Sequence, residues 1–280
     1  MKTLLRRLLL AAPVLSALCL AQPASAQEIR VSVTIAPQAY FVERIAGPRA
    51  KVQVMIPKGG SPETYEPTPP QLVALAESRL YVKIGAPGLP FEEKHVNPLP
   101  TRNRQIRVVN MSEGMAYREG DPHVWLSLTA ARLAGQRIAR TLTDAEPASA
   151  GAFDQNLRAF LADVDSLERE ITRTLGQLRG AAFMVFHPAW GYFADEFGLV
   201  QLAVEEEGKP VNAAHIRRMI DLARQKGIRS LIVQKGFDTK SARAIARDIG
   251  GGIVEADPLE RDWLRGMKNF TALLATVLRN

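Results

Sequence analysis

The stretch FDQNLRAFLADVDSLEREITRTLGQL, residues 153–178, decides the fold of this chain. Its apolar residues recur at spacings of three and four, which places them on one stripe of a helix with charged residues largely around the rest. The stripe consists of Phe153, Leu157, Phe160, Leu161, Val164, Leu167, Ile171, Leu175 and Leu178. Neither glycine nor proline interrupts the pattern before Gly176. We therefore expect one helix of about 40 Å, at about 1.5 Å per residue.

Strand and helix signals alternate on the N-terminal side of this helix. Strands are predicted at residues 29–35, 52–56, 80–84 and 106–109, and helices at residues 38–47, 70–78 and 129–142. This alternation favours a parallel sheet with covering helices.

The same alternation returns on the C-terminal side. Strands are predicted at residues 183–186, 199–204, 231–233 and 253–254, and helices at residues 213–225, 241–248 and 263–278. The fold class is thus α/β, with two lobes that each hold a parallel sheet with covering helices and that are joined by a long rigid helix. The expected domains are an N-terminal lobe at 27–148, the connecting helix at 149–180 and a C-terminal lobe at 181–280.

Residues 1–26 have the three parts of a secretory signal peptide. The basic part holds Lys2, Arg6 and Arg7, the apolar part spans residues 8–20, and a small-x-small cleavage site ends at Ala26. The apolar run is too short to span a bilayer comfortably. We therefore expect export to the periplasm and a mature chain that begins at Gln27 and does not span the membrane.

The single cysteine, Cys19, lies within this leader, and Leu18 stands where a lipidation signal requires a small residue. The mature chain then has no lipid anchor, disulfide or thiol ligand. Loss of residues 1–26 lowers the formal net charge from +7 to +4. We expect this excess to be spread along the chain, without a basic stripe interleaved with aromatic residues, which argues against nucleic-acid binding.

Four side chains of metal-ligand type lie at or near the predicted strand ends. His187 and Asp257 directly follow strands, Glu63 lies in the loop after the second strand, and His123 precedes the helix at 129–142. Open α/β sheets bind ligands beyond the carboxyl ends of their strands. Imidazole and carboxylate together suit four-coordinate zinc or a harder ion such as manganese. Each of these four residues, taken alone, could instead have a purely structural role. We assign such a role to the two remaining histidines, His95 and His215.

Four motifs carry a resemblance to a known family. They are Tyr65-Glu-Pro-Thr-Pro69, Asp121-Pro-His-Val-Trp125, Phe186-His-Pro-Ala-Trp-Gly-Tyr-Phe193 and Asp257-Pro-Leu259. In this order, over essentially the whole mature chain, the sequence resembles the metal-specific solute-binding proteins of ABC importers, the zinc and manganese receptors. The resemblance implies two α/β lobes held by a long rigid helix. As partners it implies a membrane permease and its ATPase.

The resemblance also implies a ligand set of Glu63, His123, His187 and Asp257. The family places a histidine two residues before the tyrosine of the first motif, and this chain has Glu63 there. Two histidines with two carboxylates match the manganese-type count, whereas histidine at the third position matches the zinc type. The long His-rich loop of many zinc receptors is absent, since residues 91–104 hold only His95.

The function implied is that of a monomeric periplasmic receptor that captures zinc and delivers it to an ABC importer without catalytic turnover. A manganese receptor and a metal-dependent adhesin of the same fold remain alternatives. A zinc hydrolase is a weaker one, because it needs an open coordination position and a base. The acidic run Glu205, Glu206 and Glu207 could supply that base but is more simply a solvated or docking loop. Asp121 has two possible roles, orienting a ligating imidazole or capping the helix that follows it.

Overall fold

Two four-stranded sheets form the centre of the structure, a computed structural model that describes residues 28–205, 212–236 and 239–279. The first sheet contains β1 (Ile29–Val33), β2 (Ala50–Val54), β3 (Leu80–Lys83) and β4 (Arg107–Asn110). The second contains β5 (Ala182–Val185), β6 (Val200–Ala203), β7 (Ser230–Gln234) and β8 (Gly252–Ala256). The strand orders are β2-β1-β3-β4 and β6-β5-β7-β8, with every pair parallel. The predicted pair of parallel α/β lobes is confirmed.

Nine α-helices accompany these strands within the described residues. They are α1 (Ala36–Ala46), α2 (Pro69–Ala76), α3 (Leu99–Arg102), α4 (Leu128–Ala145), α5 (Ala150–Leu175), α6 (Gly191–Phe197), α7 (Ala213–Gln225), α8 (Lys240–Asp248) and α9 (Trp263–Val277). The predicted elements agree with these to within three residues at each end. The sequence did not predict α3 or α6, which have four and seven residues and are too short to show a helical period.

The connecting helix predicted at residues 153–178 is α5, which has 26 residues and ends in a 3-10 turn at Gly176–Leu178. It packs against α1 and α4 of the first lobe and against α9 of the second. Gly135 of α4 allows a close approach, because a Cβ there would lie 2.7 Å from the ring of Phe160. Ion pairs also hold α5, from Asp163 to Arg44 of α1 and from Glu170 to Lys268 of α9.

Buried tryptophans join the two lobes directly. The indole Nε1 of Trp125 donates to Pro258 O at 2.8 Å, and the indole Nε1 of Trp263 donates to Trp125 O at 2.6 Å. The Trp263 ring also packs edge-on against Phe41 of α1, with 5.2 Å between ring centroids. One hydrophobic core therefore runs through both lobes, and a smaller one lies under α7 and α8. The lobes are held by these contacts as well as by α5.

The basic residues are not spread evenly, which corrects the expectation from the sequence. Exposed cations gather on and next to α7 and α8: Arg217, Arg218, Arg224, Lys226, Arg229, Lys240, Arg243 and Arg247. The acidic residues on these two helices are Asp221 and Asp248. Neither helix contains a phenylalanine, tyrosine or tryptophan, so the structure adds no support for nucleic-acid binding.

The predictions about the N-terminus fall outside the described residues. They concern the signal peptide, its cleavage before Gln27 and the place of Cys19 within it, and they stay predictions. The domain limits at 27–148, 149–180 and 181–280 also stay predictions. In the part of the chain that the structure does describe, no helix combines the length and apolar character that a membrane span requires.

Candidate metal centre

Glu63 is held by a loop that follows β2 and is anchored to α2. The Tyr65 hydroxyl donates to Gln71 Oε1 at 2.8 Å, and Gln71 Nε2 donates to Met55 O at 2.7 Å. The Glu63 amide donates to Ser61 Oγ at 3.2 Å. These bonds fix the turn on both sides of Glu63, so the first motif serves to position this carboxylate.

His123 is the most buried member of the site, with 3% of its side chain exposed. It directly precedes a 3-10 turn at Val124–Leu126. Asp121 Oδ1 accepts from both the backbone amide and the ring Nδ1 of His123, each at 2.9 Å. Because a carboxylate accepts only, the Nδ1 carries the proton and Nε2 keeps its lone pair toward the site.

His187 is presented by the end of β5 and is oriented in the same way. Its Nδ1 donates to Glu205 Oε2 at 3.0 Å, which again leaves Nε2 as the ligand atom. The register of β6 beside β5 explains this contact, since the Glu205 amide donates to Phe186 O at 2.9 Å. Glu205 therefore lies beside the residue that precedes His187.

Glu63, His123 and His187 converge on one point. Their donor atoms lie within 4.8 Å of one another, and among the described residues they form the one such group of three or more. The two Nε2 atoms are 3.1 Å apart. Glu63 Oε1 lies 3.3 Å from His187 Nε2 and 3.7 Å from His123 Nε2. Two lone pairs and a carboxylate oxygen thus face a common centre, which is a favourable site for a cation.

The spacing of these atoms fits a tetrahedral ion. Donors around zinc, at bond lengths of about 2.0–2.1 Å, lie about 3.3–3.4 Å from one another. Adjacent donors of an octahedral ion with bonds of about 2.1 Å lie only about 3.0 Å apart. The observed separations of 3.1, 3.3 and 3.7 Å are centred on the tetrahedral value.

Burial keeps the site ready for a cation. The pKa of His123 is lowered from 6.5, mainly because burial disfavours the imidazolium, with a further lowering from His187. The hydrogen bond to Asp121 acts in the opposite direction. The net effect favours neutral imidazole, which is the form that binds a metal.

Asp257 does not belong to the three-residue cluster, unlike the arrangement expected from the sequence. Its Oδ1 accepts from the Leu259 amide at 2.9 Å, and burial raises its pKa above 3.8. It lines a cavity of about 470 Å³ between the lobes, together with Lys58 and Lys235. A separate cavity of about 350 Å³ is lined by Glu63, His187 and Glu205.

The structure decides between the two roles considered for Asp121. It orients His123, whereas the N-cap of α4 is Ser127, whose Oγ accepts from the Ala130 amide at 3.0 Å. Glu205 has a role that the sequence analysis missed. The sequence signal that could have indicated this role is the position of Glu205 directly after the strand predicted at 199–204. His187 directly follows the strand predicted at 183–186 in the same way.

The two histidines assigned structural roles lie outside the cluster. His95 Nε2 is 3.4 Å from Glu66 Oε2, and His215 Nε2 is 3.1 Å from Ala203 O. Glu206 and Glu207, the other candidate bases, are not among the described residues.

Comparison with known proteins confirms the resemblance seen in the motifs. The family model of ZnuA, the periplasmic component A of a zinc-uptake complex, matches residues 31–279. The manganese ABC transporter substrate-binding lipoprotein PsaA of Streptococcus mitis is 25% identical over 244 residues, which cover 80% of this chain and 78% of PsaA. The high-affinity zinc uptake system protein ZnuA of Bacillus subtilis is 23% identical over 257 residues, which cover 83% and 79%.

A crystal structure of ZnuA superposes with a TM-score of 0.83 at 36% identity, covering 90% of this chain and 99% of that one. The family match and the fold therefore agree along nearly the whole described chain. On these grounds the chain belongs to the ZnuA family of periplasmic zinc-uptake components.

Proposed function

We propose that this protein captures a zinc ion between its two lobes and delivers it to an ABC importer. The observation that carries the proposal is the triangle of Glu63 Oε1, His123 Nε2 and His187 Nε2, whose edges fit tetrahedral zinc. The family match supports delivery to a membrane permease and its ATPase.

Manganese is the alternative cargo, because PsaA relatives are manganese proteins and this chain has a carboxylate at the first ligand position. Two imidazole nitrogens and the wide spacing of the donor atoms favour zinc, since manganese prefers an octahedral shell of oxygens. Glu63 stands where the family has a histidine, and its oxygen donor should nevertheless make the preference for zinc over manganese smaller.

Asp257 is proposed as the fourth ligand. The loop that carries it is tied to the His123 segment, because the neighbouring Pro258 O accepts from Trp125 Nε1 at 2.8 Å. Ala256 and Pro258 also line a small cavity with His187. Asp257 thus lies in a loop that is bonded to the His123 segment, and its carboxylate would supply the second oxygen of a tetrahedral shell of two nitrogens and two oxygens.

The proposed function requires no catalytic turnover. Each imidazole already has its Nδ1 proton directed to a carboxylate, so binding requires neither a change of tautomer nor a change of ring orientation. A hydrolase would need a base beside an open metal position. Glu205 is hydrogen-bonded to His187 Nδ1, which gives it an orienting role and leaves the hydrolase without support among the described residues.

The proposal is tested by titrating metal-free protein with zinc and with manganese in competition with a chelator. We expect one tight zinc site per chain, with most of the affinity lost in His123→Ala and in His187→Ala. His95→Ala is the matched control, because this histidine lies outside the cluster and should bind as the unmodified protein does. Full zinc affinity in both site variants would place the metal elsewhere.

A further inference from the structure

A charged network behind His123 connects the ligand-bearing segments of the two lobes. Arg118, in the loop after β4, lies with its Nε 3.2 Å from Asp121 Oδ2, while its Nη1 pairs with Asp195 of α6. The same Asp121 uses its other oxygen to orient the His123 ring. α6 begins four residues after His187. The network therefore runs from α6, through Arg118 and Asp121, to the His123 imidazole.

Tyr192 of α6 also bonds to the backbone of Arg118 and Asp121. Its hydroxyl accepts from the Arg118 amide at 3.0 Å and donates to Asp121 O at 3.1 Å. Both ends of the turn from Arg118 to Asp121 are thus bonded to one side chain of the second lobe. Tyr192 therefore fixes the backbone of the two residues that form the ion pair, Arg118 and Asp121, relative to α6.

Gly191 leaves the space that the ion pair occupies. A Cβ at this position would lie 2.5 Å from Asp121 Oδ2 and 2.7 Å from Arg118 Nε. Real Cβ atoms do not approach this closely, so any side chain at residue 191 would displace the pair. This gives a physical reason for the glycine in the third motif.

Glu196, also on α6, fixes a second point of the first lobe. Its carboxylate accepts from Ser127 Oγ at 2.6 Å and from the amides of Leu128 and Thr129 at 2.8 and 3.1 Å. A carboxylate at a helix N-terminus is stabilising, because it pairs the free amides of the first turn. α6 is therefore anchored to the segment on both sides of His123.

We propose that Arg118 is a positioning residue of the metal centre, which sets the Asp121 carboxylate and, through it, the orientation of the His123 ring. The inference rests on the proposed function. Arg118 does not touch the ion. It acts through the charge of its guanidinium, whose Nε lies 3.2 Å from one oxygen of Asp121 while the other oxygen faces His123 Nδ1, and through its ion pair with α6 of the lobe that supplies His187.

The test compares Arg118→Gln with two related variants and a control. Arg118→Gln removes the charge and keeps much of the side-chain length. Gly191→Ala displaces the ion pair without changing a charge, and Asp195→Asn weakens only the link to α6. Arg132→Gln is the control, because Arg132 pairs with Asp165 and Glu168 of α5, outside the network.

Three quantities are measured for each variant: zinc affinity, the melting temperature of the metal-free protein, and the NMR signals of the His123 ring nitrogens. Loss of a partner behind a metal ligand costs about 10–100-fold in affinity. For Arg118→Gln and Gly191→Ala we expect about tenfold weaker zinc binding. The Nδ1–H signal of His123 should show a weaker hydrogen bond to Asp121. The melting temperature of the metal-free protein should stay close to that of Arg132→Gln. Asp195→Asn should fall between these variants and the control.

The outcomes separate this proposal from the proposed function. If Arg118→Gln and Gly191→Ala both keep zinc affinity within twofold while His123→Ala loses it, the metal site stands and the positioning role of Arg118 is wrong. If His123→Ala also keeps its affinity, the metal site itself is misplaced. Equal losses of affinity and of metal-free stability, with an unchanged ring signal, would reduce Arg118 to a general structural role and overturn the proposal.

Discussion

Glu63 is the residue at which this chain departs from the family pattern, and its replacement by glutamine tests whether the departure is functional. Glutamine keeps the size and one oxygen donor but removes the negative charge. Unit charges about 4 Å apart attract by about 1 kcal/mol when fully screened by water. The doubled charge of the ion raises this to about 2 kcal/mol. This fully screened attraction is a lower bound, because only 26% of the Glu63 side chain is exposed and a ligated oxygen would lie about 2 Å from the ion, where the attraction is stronger.

A loss of about 2 kcal/mol or more corresponds to zinc binding weakened by roughly 30-fold or more. Glu66→Gln is the matched control, since Glu66 lies in the same loop but pairs with Lys94. Glu63→His restores the family pattern and should shift the preference from manganese toward zinc, because a nitrogen replaces an oxygen donor. The assay is calorimetric titration of all three variants with both metals. Zinc affinity in Glu63→Gln equal to that in Glu66→Gln would show that Glu63 is not a ligand.

Four further expectations concern the fourth ligand, stability, pH and shape. Asp257→Asn should weaken zinc in the same titration if the side chain completes the shell, and unchanged affinity would remove it from the ligand set. Zinc at a thousandfold excess over Kd should stabilise the fold by about 4 kcal/mol, or roughly 10 °C in melting temperature, and a calorimetric scan with no shift would contradict this. Since the pKa of His123 is lowered below 6.5 in the folded state, the native protein binds fewer protons than the unfolded chain just below pH 6.5. Stability of the metal-free protein should therefore be full above pH 6.5 and fall as the pH drops through the lowered pKa, and His123→Ala should show a shallower fall in denaturant titrations. Solution scattering of metal-free and zinc-loaded protein should nearly superpose, because α5 and the tryptophan contacts hold both lobes, whereas a marked compaction would indicate hinge closure.

The long helix and the two sheets were predictable because their signals are local. The apolar stripe from Phe153 to Leu178 specifies a helix face whatever it packs against. Alternating strand and helix signals specify parallel sheets, and parallel strands bring their carboxyl ends to one edge. The convergence of His123 and His187 followed from that rule together with the family motifs.

The residues behind the ligands were not predictable in the same way. Glu205 reaches His187 only because β6 lies beside β5 in one particular register. Arg118 and Asp195 are 77 positions apart in sequence, and no local pattern relates them. Asp257 stays a prediction from a motif in the family's order, because its carboxylate lies outside the three-residue cluster of the described chain. The side-chain direction at a loop depends on tertiary contacts that the motif does not contain.

The central claim is that one zinc ion binds to the imidazoles of His123 and His187 together with the Glu63 carboxylate. X-ray absorption at the zinc edge, on protein loaded with one equivalent, tests it most directly because the spectrum reports the donor atoms themselves. We predict about four nitrogen and oxygen donors at about 2.0–2.1 Å, the multiple-scattering signal of two imidazoles, and no sulfur. A hydrated six-oxygen shell, or a spectrum without imidazole scattering, would contradict the account.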